Sequence, residues 1–315
     1  MNYKKICILG GSGFVGNYIV RLLAEQGLAV RVITSKRDHA KALFVFPSVE
    51  IVEGNIHDEA ELARMTKACD AVVNLVGVLH DSRKPGQGFE RAHVELTRKV
   101  IAACKVNKIQ RLLHMSALKA DLNGPSAYLR SKAKAEQLVR ESGLEWTLFC
   151  PSVIFGEGDS FLNLFSSLLT VAPALPLAGA SAKFQPIWVE DVAQVFANSL
   201  DNRATYGQSY NLCGPKIYSL RELVQLVARI KGVTRLVVGL PGPVAYVQAL
   251  LMEYLPGKLM SRDNLLSMQS DNVCGCDFPA EFGFTPTALE VIAPQYLSPA
   301  SLRSRYNRYR NNAGR

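Results

Sequence analysis

No stretch of 18 or more apolar residues in the 315-residue chain is free of breakers, so none has the character of a membrane-spanning helix. The longest uncharged stretch, Ser160 to Ala182, is cut by Pro173 and Pro176 and is expected to form a loop-rich pocket wall. A secretory leader is also missing from MNYKKICILGG, whose short apolar run closes on glycines, and export is not expected. The cysteines, seven in number, are odd and scattered at Cys7, Cys69, Cys104, Cys150, Cys213, Cys274 and Cys276. That distribution predicts a reducing, cytoplasmic setting with most thiols packed as small hydrophobes rather than a disulfide framework. Cys274-Gly-Cys276 lacks a second Cys/His pair at ligand spacing, so no metal site is expected.

Acidic residues are in deficit, 27 against 36 basic ones, for a formal charge of +9. The tail SLRSRYNRYRNNAGR carries Arg303, Arg305, Arg308, Arg310 and Arg315 without one acid. It reads as a solvated extension; its functional use would be contact with an anionic surface, either lipid headgroups at the inner face of a membrane or a partner subunit. No nucleic-acid motif accompanies the charge, so no nucleic-acid partner is expected.

Between residues 4 and 150, short apolar runs alternate with segments of helical period, the pattern of βα units around a parallel sheet. Strands are expected at Lys5–Leu9, Ala29–Thr34, Val49–Val52, Ala71–Val76, Arg111–Met115 and Trp146–Cys150. The first helix places Val15, Ile19, Leu22 and Leu23 on one face and stops near Gly27, and a later one, Phe89 to Lys105, buries Leu96, Val100 and Ile101. The predicted fold class is α/β, a Rossmann-type doubly wound parallel sheet over 1–150. A smaller carboxyl-terminal substrate lobe over 151–300 interleaves with it, and the basic tail occupies 301–315. Helices are expected there near Glu190–Leu200, Leu220–Ile230 and Val244–Tyr254, the second opened by a Ser219/Glu222 capping box.

Directly after the first strand, Gly10-Gly-Ser12-Gly13-Phe14-Val15-Gly16 opens a helix. Glycines there permit a tight turn, close approach of backbone to a pyrophosphate and close helix-strand packing, while the helix N-terminus favours negative charge. At the end of the second strand an NAD-specific site places an acid on the ribose 2'-hydroxyl. This chain has Ser35-Lys36-Arg37 instead, which suits a 2'-phosphate. NADP(H) is therefore the preferred cofactor, with NAD(H) as the alternative. Tyr128 and Lys132 stand at i and i+4, on one face of a predicted helix. A neighbouring ammonium is expected to lower the phenol's pKa so that it can exchange a proton during hydride transfer.

Together these residues resemble the extended and atypical branch of the short-chain dehydrogenase/reductase superfamily, the NAD-dependent epimerase/dehydratase type. The resemblance rests on GGSGFVG at 10–16, GNIHD at 54–58, NLVGVL at 74–79, YLRSK at 128–132, PSVIFGEGDSFLN at 151–163, QPIWVEDVA at 185–193 and YNLCGP at 210–215. Within that branch it is most similar to the nucleotide-binding accessory subunit of respiratory complex I and its bacterial relatives. The resemblance implies Asn55 and Ile56 beside the adenine, Asn74, Val76 and Gly77 beside the ribose, and Pro151, Ser152 and Ile154 beside the nicotinamide. It further implies Lys132 on the nicotinamide ribose, Tyr128 facing substrate and Ser116 orienting it. Departures are Asn55 for the usual Asp, His93 for the usual helix Asn, and a single hydroxyl in Ser116-Ala117-Leu118.

Three readings follow. The first is an oxidoreductase on a small hydrophobic carbonyl or quinone-like compound, working at a membrane surface or in a respiratory complex. The second is a non-catalytic dinucleotide-binding assembly module. The third is a nucleoside-diphosphate-sugar epimerase or reductase, weakened because Phe184, Gln185 and Trp188 stand where sugar-nucleotide enzymes carry an Arg and then a His or Tyr. The carboxyl lobe offers Phe161, Phe165, Leu168, Leu169, Tyr246, Leu250, Leu251 and Tyr254 as core stripe or apolar pocket wall. Oligomeric state is not legible in the sequence.

Overall fold

KICIL, AVRVIT and AVVN are too short for core helices, and most of their residues are buried on both pleat faces, the signature of a sheet covered on both sides. The computed structural model describes residues 3–79, 81, 86–253 and 260–298. The basic tail and Tyr254 lie outside them. The chain divides into two compact units, the first made of Met1–Pro151, Val189–Leu212 and Pro279–Phe284, the second of Ser152–Trp188, Cys213–Phe278 and Thr285–Arg315.

In chain order the first unit opens with β1 (Lys5–Leu9), α1 (Phe14–Glu25), β2 (Ala29–Thr34), β3 (Val49–Glu53), α2 (Glu59–Thr66) and β4 (Ala71–Asn74). It continues with α3 (Gln87–Phe89), α4 (Leu96–Val106), β5 (Arg111–Met115), α5 (Ala127–Arg140) and β6 (Glu145–Pro151). Between α3 and α4, residues Glu90–Glu95 are wound as π-helix, so what the periodicity predicts as one helix is a run with a widened turn. Second-unit elements follow: β7 (Ile154–Phe155), α6 (Phe161–Val171), β8 (Ala174–Leu177), β9 (Lys183–Phe184) and β10 (Ile187–Trp188). Then come α7 (Val189–Ser199) and β11 (Gln208–Leu212) of the first unit. The chain finishes with β12 (Tyr218–Ser219), α8 (Leu220–Lys231), β13 (Leu236–Gly239), α9 (Gly242–Glu253), α10 (Arg262–Ser267) and α11 (Leu289–Leu297) of the second.

Seven strands form one sheet in the order β11-β6-β5-β4-β1-β2-β3, every pair parallel. The order runs outward on both sides of β1 and β4, which places the crossover next to the glycine turn, where doubly wound sheets bind ligands. One face is packed by Leu62, Leu96, Val100, Ile101 and Cys104 against Cys7, Leu9 and Val72. The helix stripe predicted for α1 is present with Ile19 and Leu23 fully buried, while Val15 and Leu22 are half-buried.

Arg111 on β5 is wholly buried. Its guanidinium donates to the carbonyls of Glu145 (2.8 Å), Ser199 (2.6 Å) and Leu200 (3.3 Å) and to Thr205 Oγ1 (3.0 Å), and it lies 4.2 Å from the Tyr206 ring centroid. The cation thus caps the carbonyl end of α7, where the helix dipole is negative. Burial pulls its pKa down to about 10.

In the second unit, Phe155, Leu162, Leu169, Leu220, Leu223, Val224 and Leu289 form a separate core. Ser219 caps α8 in the predicted box with Glu222. The cysteine expectation is overturned here: Cys213 and Cys274 form a disulfide, with Cα atoms 6.1 Å apart across a sequence separation of 61. Nothing in linear spacing marks that pair, because the fold brings together the residue after β11 and a loop beyond α10. Cys7, Cys69, Cys104 and Cys150 are buried free thiols as predicted, and Cys276 is exposed and free. Among the described residues no cluster of His, Cys, Asp and Glu could hold a metal, and no helix is long and apolar enough to cross a membrane.

Candidate dinucleotide and catalytic site

Gly10 turns at φ +79°, a left-handed conformation, and its carbonyl accepts from the Gly13 amide at 3.0 Å. Gly13 is then the N-cap of α1 with no side chain on the helix's first amides. A Cβ on Gly16 would sit 2.2 Å from the Gly10 carbonyl oxygen and 2.6 Å from Gly11 Cα, so only glycine lets α1 start this close to its own turn. Phe14 and Val15 form the first turn, where the amides left without intrahelical partners suit an anionic group.

Beside this turn lies a cavity of about 490 Å³ lined by Gly10, Ser12, Thr34, Ser35, Asn55, Ile56 and Val76. These elements come together because β1, β2 and β4 are neighbours whose carboxyl ends share one edge. Asn55 Oδ1 accepts from the His57 amide (3.0 Å), shaping the strand-to-helix corner, and Asp58 caps α2. Two histidines of the lining, His39 and His57, escaped the sequence reading. His57 directly follows Asn55-Ile56, and its buried Nδ1 has no partner. Burial and then Arg91 and Lys99 hold its pKa below the usual imidazole value. No carboxylate lines the cavity. A dinucleotide fits these residues: a glycine cradle that any Cβ would obstruct, and an orphaned polar atom in the cavity wall.

Arg37 is placed differently from the cavity lining. Its guanidinium carbon lies 5.2 Å from the Phe44 ring centroid and Nη1 donates to the Ile51 carbonyl at 3.4 Å, while its amide is held by Glu53 Oε2 at 3.0 Å. Lys36 is exposed, and its carbonyl accepts from Thr34 Oγ1.

Around Tyr128 and Lys132 the first unit gathers several polar groups. Lys132 is 4% exposed, and Nζ donates to the Met115 carbonyl at 3.1 Å. A Cβ on Gly77 would stand 3.1 Å from that nitrogen, so the glycine after β4 makes room for the ammonium. Burial pulls the lysine down to about 8. Tyr128 meets Phe89 and His93 edge-on, with ring centroids 5.9 and 5.5 Å away. Its phenol is pushed up to about 12 by burial, the reverse of the lowering expected from the sequence. Desolvation disfavours phenolate here, and the Lys132 ammonium is engaged by a backbone carbonyl.

His93 accepts from the Val78 amide at Nε2 (3.1 Å) and therefore donates from Nδ1 to Ser131 Oγ (2.8 Å), whose hydroxyl continues to the Tyr128 carbonyl (2.8 Å). Asn74 Nδ2 donates to His114 Nδ1 (3.2 Å) and Asn74 Oδ1 accepts from the Val76 amide (3.2 Å). That leaves the proton on His114 Nε2, which is buried without a partner. Ser116 donates to Glu136 Oε1 at 2.6 Å. Pro151 ends β6, whereas Ser152 and Ile154 belong to the second unit, where Ser152 Oγ meets Asn272 Oδ1 at 2.5 Å and Ile154 pairs with Ile187.

A parallel sheet with its crossover at a glycine-lined strand-turn-helix, backed by a Tyr/Lys helix, defines a Rossmann-type dinucleotide-binding protein. A model of the NAD(P)H-binding family matches residues 10–203, and the chain belongs to that family. Among curated relatives, the mitochondrial NADH dehydrogenase (ubiquinone) 1 alpha subcomplex subunit 9 of Arabidopsis thaliana is 30% identical over 259 residues, 80% of this chain. The chain spans 64% of that relative's length. A ceramide reductase of Caulobacter vibrioides is 29% identical over 189 residues, 60% of this chain and 58% of the relative. A solved dTDP-glucose 4,6-dehydratase from Streptomyces venezuelae, with NAD and TYD bound, shares the fold at TM-score 0.76 over 98% of both chains, with 20% identity.

Proposed function

We propose that the chain is an NADP(H)-dependent reductase of a hydrophobic carbonyl compound, with Tyr128 as proton donor and Lys132 on the nicotinamide ribose. The observation that carries this reading is the geometry of α5, where Tyr128 and Lys132 stand one turn apart, Lys132 Nζ donating to the Met115 carbonyl at 3.1 Å beside Gly77 and Tyr128 packed edge-on against Phe89 and His93. The neutral phenol can give its proton to a carbonyl oxygen, and the phenolate left behind takes a proton back to complete the cycle. When bound, the cofactor supplies the hydride to the carbonyl carbon. Tyr128 passes its proton to the oxygen, yielding an alcohol, and Lys132 orients the ribose. Preference for NADP(H) is supported by the absence of a carboxylate from the adenosine-side lining and by Ser35 and His39 there. Arg37 and Lys36 would have to swing in to reach a 2'-phosphate. The relative that reduces a ceramide supports a lipid-like carbonyl substrate.

A second reading, a dinucleotide-binding assembly module in a respiratory complex, is favoured by Ser116, whose hydroxyl is committed to Glu136 instead of a substrate. The complex I relative supports it too. One experiment separates the two: NADPH-loaded protein is mixed with long-chain ketones, 3-keto-lipids and short-chain quinones while absorbance of the reduced nicotinamide is followed. Turnover that falls about a hundredfold or more in Tyr128→Phe, with NADPH affinity kept, supports the reductase. NADPH that copurifies and is oxidised by none of them supports the module.

A further inference from the structure

The second unit carries an open cavity of about 950 Å³ that the reading above does not use. It is bounded by residues 179–181, the start of α8, the end of β13, α9 and α10. Leu240, Ala245, Leu265, Leu266 and Met268 give it an apolar wall, and no Asp, Glu or Asn lines it. A volume of this order holds a ligand of some tens of heavy atoms.

Two arginines reach the cavity, and they differ. Arg262 is neutralised, its Nε donating to both carboxylate oxygens of Glu253 at 3.2 and 3.0 Å. Arg221 is exposed at the cavity mouth, and its guanidinium has no acceptor among the described residues. The guanidinium lies over Gly239, where a Cβ would fall 2.7 Å from Arg221 Nη2 and 3.0 Å from Ala180 Cβ. Glycine at that position lets the guanidinium lie across the backbone at the cavity wall. The surroundings continue the apolar character: α9 carries no charge before Glu253, and Val244, Val247 and Leu251 are exposed at i, i+3 and i+7. Leu236 and Val238 on β13 are exposed as well.

A fork of donors with no protein carboxylate on it, at the mouth of a space with one hydrocarbon wall, matches a molecule that is anionic at one end and aliphatic along the rest. We propose that this cavity binds a single-chain amphiphile, its carboxylate or phosphate head on Arg221 and its tail against Leu240, Leu265, Leu266 and Met268. This site is independent of turnover at Tyr128.

The test uses the full chain and displacement of a fluorescent fatty acid. Competitors are palmitate, palmitoyl lysophosphatidate, neutral monopalmitoylglycerol, inorganic phosphate and UDP-glucose, with native mass spectrometry for stoichiometry. The expected result is saturable binding of one palmitate or one lysophosphatidate. Arg221→Gln should weaken both by about tenfold or more, the order of a lost charge-assisted pair, and leave the neutral lipid unchanged. Ala245→Trp should abolish all three while hydrogen exchange of the second unit stays as in the wild type, which controls for folding. Whether palmitate or lysophosphatidate binds tighter identifies the head. Displacement by phosphate alone, displacement by UDP-glucose without the lipids, no saturable binding, or indifference to Arg221→Gln would each overturn the assignment.

Discussion

The Ser116 hydroxyl is bound to Glu136 Oε1 at 2.6 Å, and the same carboxylate receives Arg140 Nη2 at 3.2 Å and the Cys150 thiol at 3.4 Å. A side chain that could have oriented a substrate is thereby enlisted in fastening α5 to β5. Ser116→Ala should cost about 1.5–3 kcal/mol of stability, the worth of a hydrogen bond to a charged group. Turnover, once a substrate is found, should change no more than about threefold. Denaturant unfolding and initial rates on the same preparation decide; a loss of rate on the order of a hundredfold at unchanged stability would return Ser116 to the chemistry.

Gly13→Val should weaken NADPH and NADH alike. It places a branched side chain at the mouth of the α1 amides, with its Cβ already 3.2 Å from the Gly10 carbonyl. Calorimetry should show affinity reduced by about 30-fold or more, equivalent to about 2 kcal/mol. Wild-type affinity in this variant would mean the phosphates rest elsewhere.

Acid should unfold the first unit early. Burial, then Lys132, then His114 bring His93 down to about 2, and burial, then Lys132, bring His114 down to about 3. Both lie below the free imidazole value, so under about pH 6.5 the unfolded chain takes up protons that the folded chain refuses. Their contribution is present above about pH 6.5 and is lost as pH falls towards 3, with a slope of up to about 2.7 kcal/mol per pH unit. Lys132 acts at the other end: with its pKa at about 8, stability should rise with pH between about 8 and 10.5. Melting temperatures across the range check both limbs, and His114→Gln should flatten the acid one.

Reducing the protein should loosen the second unit selectively. The Cys213–Cys274 bond closes a long loop and is worth about 2–4 kcal/mol. Cys213→Ala with Cys274→Ala should lower the second unit's unfolding midpoint and remove its sensitivity to dithiothreitol. Hydrogen exchange localises the effect, which should spare β1 and β4.

Much of the sheet was legible because alternating short apolar runs leave few alternatives: β1, β2 and β5 have the predicted bounds, β3 is a residue longer at one end, β6 a residue longer at each end, and β4 stops two residues earlier, at Asn74. The glycine turn was equally plain, since its residue types answer a steric demand within seven positions. Arg111 was not legible, for a lone arginine in a strand pattern shows nothing of acceptors some 30 to 90 residues away. Nor was the Tyr128 pKa, which depends on how completely Phe89 and His93 exclude water. His39 and His57 carry a faint signal, as histidines beside motif residues already noted. The disulfide carried none.

The widened turn at Glu90–Glu95 fixes a count rather than a composition. Each residue in a helix advances the chain by about 100°. Deleting one residue between Phe89 and His93 would rotate the imidazole away from the Val78 amide and Ser131, while deleting one after His93 would instead turn the Leu96 stripe out of the core. Related chains should therefore vary at exposed Arg91 and Glu95 yet keep the buried His93 and Val94 and the length of the segment.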